Sequence, residues 1–530
     1  MGSEVHMDIV DPQFTSILHD TPMDKSIRKE EYTQIRPVVN VIGQQLDTVS
    51  QYQFRMTDNK YCNLNKSYIE VAVQLQSGAS PGTNYAAGSA IAMSYGTPWF
   101  YKCQLSLGGV DVESTTPHHD RTMMVRSWLE PDGSVANLTT RNAYEPQNLF
   151  PDDPGQQQAV AMLNTITGNP SYTGGAYASP LNITSVAADG PNTQPNALYN
   201  GGFWRRQKLT DAGRVFYCRL PLSSIFGYAC LDEITYSREI VMNFYPQQAS
   251  RYIMHAANNG AATPVAIADG YLRIVDMTMF MYSALPSDSI QSQINAMIMN
   301  RTQRKISWLQ YQTYYVQFSA QGSFTNTFTS ISERPYWAIF TFIPQVWEGS
   351  QLFNSVASYQ PGPLDNATNP YSSTTPSNIS SAYLQYGSVQ VPGVIYNGSL
   401  KSDLSRMYQT LLDVSGKRYA SVDAPIVSFD DLFAASNANP GIANPPTNTL
   451  TPAGVLAGTA VPALGGIFML AFDLRHVSMD PFKSQTPQTL ILNLPLNTAT
   501  DTPWSAYMTV CSEKSMICSG DGAYLSFTTQ

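Results

Sequence analysis

One arrangement of residues occurs twice in this chain, and it restricts the fold more than any other feature. From Cys103 to Gly133 the sequence runs CQLSLGGVDVESTTPHHDRTMMVRSWLEPDG: an alternating apolar strand, a glycine turn, a polar link and an amphipathic helical stretch. From Tyr386 to Gly416 it runs YGSVQVPGVIYNGSLKSDLSRMYQTLLDVSG, with the same parts in the same order. Gly109 and Gly393 are read as the matching turn glycines. The residues differ, so the surroundings decide whether the layout is a true repeat.

The surroundings match in order. Beyond the first unit come CRLPL (Cys218 to Leu222), EIVMNF (Glu239 to Phe244) and LRIVDMTMFMYS (Leu272 to Ser283). Beyond the second come LAFDL (Leu470 to Leu474), LILNLPL (Leu490 to Leu496) and AYMTVCSEKSMIC (Ala506 to Cys518). A fixed order of strand-like segments around one helix slot is the signature of two diverged copies of one all-β domain. The length of 530 residues suits two such domains better than a single core.

Strand alternation is clearest at SYIEVAVQLQ, where Ile69, Val71, Val73 and Leu75 share one face and Glu70, Gln74 and Gln76 largely the other. Further strands are read at Trp99 to Leu107, Phe216 to Leu222, Ile234 to Phe244 and Leu272 to Tyr282. After Pro286 the period changes: Ser287 offers an N-cap, and Ile290, Ile294 and Ile298 repeat at helical spacing. The second copy opens with KISWLQYQTYYVQF (Lys305 to Phe318), continues through PYWAIFTFIP (Pro335 to Pro344) and closes with AYLSFTT. Each copy then offers about eight strands, the number that builds two facing sheets with Greek-key links. The expected fold class is all-β, two tandem eight-stranded jelly-roll sandwiches with short helices in loops and between domains. Its expected division is an N-terminal arm at 1–35, a first sandwich at 36–285, a linking helix at 286–303 and a second sandwich at 304–530. Gly/Pro/Asn/Ser-rich insertions at 78–95, 148–202, 355–381 and 434–465 are read as surface loops.

Charged residues make up only 13% of the chain, about half the usual share, which points to surface buried against partners. The net charge of −9 argues against a protein that grips nucleic acid over its whole surface. The richest basic stretch, Arg301 to Lys305, is read as a solvated linker. Six dispersed cysteines, Cys62, Cys103, Cys218, Cys230, Cys511 and Cys518, have no framework spacing and read as small buried hydrophobes in a reducing compartment. The sequence carries no signal peptide, no myristoylation signal (His6 stands where Ser or Thr is wanted) and no apolar run of membrane-spanning length. Asn-x-Ser/Thr sites such as Asn137, Asn182, Asn366, Asn378 and Asn397 are therefore read as loop composition.

Residues that could carry chemistry are sparse. His118-His119-Asp120 could supply metal ligands, but neighbours at a helix start point apart, so a polar cap is the favoured reading. Asp152-Asp153 and Asp430-Asp431 could be imagined as the acid and base of a glycosidase, yet both lie in loop or cap contexts. Cys511 and Cys518 are read as inward strand positions. No HExxH, Walker A, GxSxG or dinucleotide glycine pattern is present. The expectation is no catalytic, cofactor-binding or metal residue, no cofactor and no enzyme activity. A carbohydrate-binding or receptor-binding β-sandwich is the alternative.

In the order and spacing of YIEVAVQL, CQLSLGGVDV, LRIVDMTMFM, SDSIQSQINAMIMN, RKISWLQYQTYYVQF and AFDL, the chain resembles the double jelly-roll, hexon-like major capsid proteins of the Polinton, adintovirus and virophage group. The resemblance covers the chain from about Ser26 onward. It implies two upright sandwiches per chain and a homotrimeric, pseudo-hexagonal capsomer that tiles an icosahedral shell around a DNA genome. It also implies contacts with neighbouring capsomers, penton (vertex) and cement proteins, no sequence-specific nucleic-acid binding and no transmembrane segment. The implied location is the virion, after synthesis in the host cytosol and assembly in cytoplasm or nucleus.

Overall fold

The computed structural model describes residues 27–57, 60–77, 89–91, 99–115, 117–129, 213–255, 270–319, 322–331, 334–344, 379–398, 400–416, 449–450, 456–457, 469–475, 477, 488–497, 503–520 and 525–529. Eight strands build the first half: β1 (Ile27–Ile35), β2 (Tyr52–Met56), β3 (Tyr61–Ser77), β4 (Phe100–Leu107), β5 (Val110–Ser114), β6 (Phe216–Pro221), β7 (Ile240–Pro246) and β8 (Gly270–Pro286). Eight more build the second: β9 (Gln303–Phe318), β10 (Ser323–Ile331), β11 (Arg334–Pro344), β12 (Ala382–Tyr386), β13 (Val389–Tyr396), β14 (Leu470–Asp473), β15 (Gln488–Pro495) and β16 (Trp504–Gly520). Helix α1 (His119–Leu129) lies between β5 and β6, α2 (Asp288–Met299) joins the halves, and α3 (Lys401–Ser415) lies between β13 and β14.

The two halves have one topology. The first pairs its strands as β1-β8-β3-β6 in one sheet and β2-β7-β4-β5 in the other. The second pairs them as β9-β16-β11-β14 and β10-β15-β12-β13. Adding eight to each label of the first half gives the second, and α1 and α3 fall in the same slot. Two facing four-stranded sheets linked in this order are the jelly roll. Short additions decorate the frame: Ile234–Tyr236 pairs with β3, Leu525–Thr529 with β16, and Ser89–Ile91 with Ile253–His255.

Alternation explains why these segments face one another. In β3, Ile69, Val71, Val73 and Leu75 are buried as the sequence predicts, and they pair with β8 through Ile69↔Met279, Val73↔Ile274 and Leu75↔Leu272. Opposite them, Leu105 of β4 pairs with Met242 of β7, and Phe54, Phe100 and Phe244 meet at tilted and edge-on angles with centroids 5.2 and 5.9 Å apart. The second core repeats the device with Leu384↔Leu492 between β12 and β15, and with Phe340 edge-on to Phe472 at 5.7 Å. Each fully buried side chain of this kind contributes about 1.5–3 kcal/mol.

Four details differ from the sequence reading. Residues 27–35, assigned to the arm, form edge strand β1, paired with β8 from Ile35↔Met279 to Ile27↔Pro286. Their IRKEEYTQI pattern is polar because most of the strand is exposed, so hydrophobic periodicity gave no signal. The turn that matches Gly108-Gly109 is at Gly387 (φ 58°), which connects β12 to β13 as Gly109 (φ 85°) helps connect β4 to β5. Gly393 lies inside β13. Gln76 is buried, its side chain accepting a hydrogen bond from the Tyr271 hydroxyl at 3.0 Å, and Cys230 is exposed. The insertions lie largely outside the described residues.

Val73 has no exposed surface and sits in the first core. Val73→Asp places an unpaired charge there and is expected to cost about 4 kcal/mol or more. Urea titration checks this; a loss under about 1 kcal/mol would put Val73 outside the core.

Candidate functional site

Of the residues singled out in the sequence, the His118 to Asp120 cluster stands at the seam where the halves meet. The cores interlock there. Trp308 of β9 and Met516 and Cys518 of β16 belong to the first core, while Met124, Val125 and Leu129 of α1 belong to the second. Trp308 stands edge-on to Tyr228 at 5.2 Å. A backbone contact tightens the fit: a Cβ on Gly227 would lie 1.8 Å from the Leu309 carbonyl oxygen. Gly227 has ordinary helical angles (φ −63°), so it is the close approach that demands glycine.

Polar side chains fill the rest of the seam. Thr122 of α1 hydrogen-bonds Thr313 of β9 at 2.8 Å, and Thr313 hydrogen-bonds Thr509 of β16 at 2.8 Å. The Arg121 guanidinium lies 4.4 Å from the Tyr507 ring centroid and that of Arg126 lies 4.6 Å from Tyr311, distances for cation–π attraction. Arg126 also donates to the Ser224 and Ser223 carbonyls at the end of a one-turn helix (Leu222–Ile225), tying first-half backbone to a second-half ring. The Glu113 carboxylate accepts from the Gly227 and Tyr228 amides at 3.0 and 2.9 Å. Burial raises its pKa, and these two amides offset part of the rise. Gln310 donates to the Ser114 carbonyl at 3.3 Å.

His118, His119 and Asp120 stand at the start of α1, as the sequence implies, but the seam buries the last two to 1% exposure. His118 packs on the Tyr315 and Tyr507 rings, 5.3 and 5.5 Å away. Burial, aided by the Arg126 charge, pushes the His119 pKa down to about 3, so the imidazole is neutral at physiological pH. Asp120 lies 3.9 Å from Arg251. Among the described residues, no three His, Cys, Asp or Glu side chains are placed to hold a metal ion.

The other candidates are scattered. Asp152-Asp153 and Asp430-Asp431 lie outside the described residues. Cys511 and Cys518 are both buried on β16, and burial raises the Cys518 thiol pKa. Arg304 pairs with Glu233 at 2.7 Å, whereas Arg301 takes the left-handed position (φ 53°) just past α2. Between α2, the first half and the adjoining ends of β9 and β16 lies a cavity of about 340 Å³ lined mainly by apolar side chains, including Ile290, Ile294 and Met297. Glu233 is the one carboxylate among its lining residues, so that wall supplies no pair of carboxylates. Among the described residues, no helix is long and apolar enough to cross a membrane.

Sequence reasoning missed the seam itself, because the helical stretch after His118 reads only as amphipathic and nothing in it assigns partners to Arg121, Thr122 and Arg126. Their partners lie on β9 and β16, far away in sequence. The Arg-rich helix facing Tyr-rich strands is the one signal that could have paired them.

Gly227→Ala forces the Leu309 backbone away and is expected to destabilise the chain by about 3 kcal/mol or more, read from its denaturant midpoint. His119 provides a pH test. Its folded pKa is depressed from 6.5 to about 3, so its contribution is present above the unfolded pKa and is lost as pH falls. From pH 7 to pH 5 this amounts to about 2 kcal/mol. His119→Gln is expected to lose about that much less stability over the same interval, measured by urea unfolding at both pH values.

No family model matches the sequence, and no curated protein matches it. Solved structures do match. A chain of the Sputnik virophage structure, determined by cryo-EM, is similar with a TM-score of 0.55 at 10% identity, over 100% of this chain and 92% of that chain. The mavirus major capsid protein is similar with a TM-score of 0.50 at 11% identity, over 100% of this chain and 96% of that one. With its duplicated topology and interlocked seam, this chain has the double jelly-roll fold found in the mavirus major capsid protein.

Proposed function

We propose that this chain is a viral or virus-like major capsid protein, a structural subunit and not an enzyme, whose three copies form a pseudo-hexagonal capsomer. The observation that carries the reading is the strand-for-strand duplication. A chain holding two copies of one sandwich presents six similar units when three copies surround a threefold axis, and six units approximate the hexagon that tiles an icosahedral shell. The low charged fraction fits, since charge is depleted at the centres of large subunit interfaces and aromatics are enriched. Fold-level likeness to capsid chains supports the same role by analogy.

In this reading residues 36–285 and 304–530 are the bodies of the two units, with β1 completing the first and 286–303 linking them. Neighbouring capsomers are partners, with penton and cement proteins at vertices and joints. The shell encloses a DNA genome without sequence-specific base contacts, and the protein resides in the virion after synthesis in the host cytosol and assembly in cytoplasm or nucleus.

Light scattering of the purified full chain is expected to give three times the chain mass, and negative-stain images hexagonal plates or shells. A stable monomer at capsid-like protein concentrations would overturn the reading.

A further inference from the structure

The seam inside the chain is one half of a contact that the duplication builds twice. On one side stands the corner formed by the end of β5 and the turn into α1; on the other stands β9 beside β16. The second half has the same corner, and the spacing is identical: β5 ends at Ser114 and α1 begins at His119, β13 ends at Tyr396 and α3 begins at Lys401. The burial is not identical. Glu113 is 1% exposed and His118 packs on two tyrosines, whereas Val394, Ile395 and Leu400 are 70%, 38% and 51% exposed.

The receiving side also has an open counterpart. Strands β8 and β16 are each 17 residues long, and their fifth residues, Ile274 and Met508, pair with Val73 and Phe340 in corresponding strands. On the opposite edge Met508 pairs with Tyr314 of β9. Ile274 instead accepts from the Gly43 amide at 2.8 Å and donates to the Gln44 carbonyl at 2.9 Å, so the chain around Gly43 occupies the slot that β9 fills in the second half. Just before it, Val38, Val39 and Ile42 are 62%, 55% and 49% exposed. Adjacent apolar side chains this open mark an interaction surface.

We infer that the Val38–Ile42 segment of one copy receives the β13–α3 corner of a second copy, Val394, Ile395 and Leu400, repeating between chains the contact that the β5–α1 corner makes with β9 within one. The two surfaces lie on different halves, so the contact is head-to-tail and closes into a ring where the rotation per chain allows. The inference rests on the trimer reading above and names the surfaces that hold it.

Two sets of full-length variants test it. Val39→Asp and the double variant Val394→Asp/Leu400→Asp alter exposed positions, so far-UV circular dichroism and melting of the single chain are expected to be unchanged. Their mass by light scattering is expected to fall about threefold relative to wild type. Mixing Val39→Cys chains with Leu400→Cys chains under oxidation is expected to give a disulfide-linked pair on a non-reducing gel that neither variant gives alone. Wild-type trimers with charged variants that remain trimeric, or with no mixed disulfide, would overturn the surface assignment while leaving the trimer reading standing. A monomeric wild type would overturn both, and a charged variant that melts early would show these residues to be core.

Discussion

The rest of the architecture depends on the exchange of side chains across the seam. Trp308, Met516 and Cys518 complete a core that is otherwise built by the first half, and α1 sends Met124, Val125 and Leu129 into the second. Separation of the halves would expose both sets to water and take from the buried Arg121 and Arg126 the Tyr507 and Tyr311 rings they face. Paired charges are tolerable in a dry interface only while the pairing holds. Folding and docking of the halves are therefore coupled, and the polar character of α1 is a product of that coupling.

The same helix slot has diverged in a way that packing makes intelligible. Helix α3 places Leu404, Met407 and Leu411 in the second core, and Arg406 is occupied locally by Asp403 and the Tyr396 ring. Helix α1 instead directs two arginines at tyrosines of another sandwich. In α1, which the other sandwich covers, buried polar groups are tolerated because they fit that neighbour. That difference separates a covered corner from an open one within a single polypeptide.

How much of this was legible in the sequence follows from where each segment's partners lie. Strands β3, β8, β15 and β16 have one or both faces in a core, and their alternating or continuous apolar runs announced them. Strand β1 offered IRKEEYTQI, an edge strand with charge on most positions, and β10 offered the polar SFTNTFTSI; both are strands because a neighbouring backbone pairs with them, and that leaves no trace in composition. The shift from Gly393 to Gly387 has a similar origin. Both glycines sit near the hairpin, and only the register of β12 with β13 tells which one turns the chain. The His118 to Asp120 cluster reads as a polar cap, whereas His118 packs on Tyr315 and Tyr507 of the other half and Asp120 faces Arg251 of its own.

Gly227 sets a final consequence. With the Leu309 carbonyl where a side chain would have to go, the two sandwiches touch backbone to backbone, and there is no cushion of flexible side chains at that point to let them pivot. The dihedral between the two lobes is therefore fixed within the single polypeptide as it folds. Were chains of this kind to tile as proposed above, curvature would arise at the joints between them and not by bending within one.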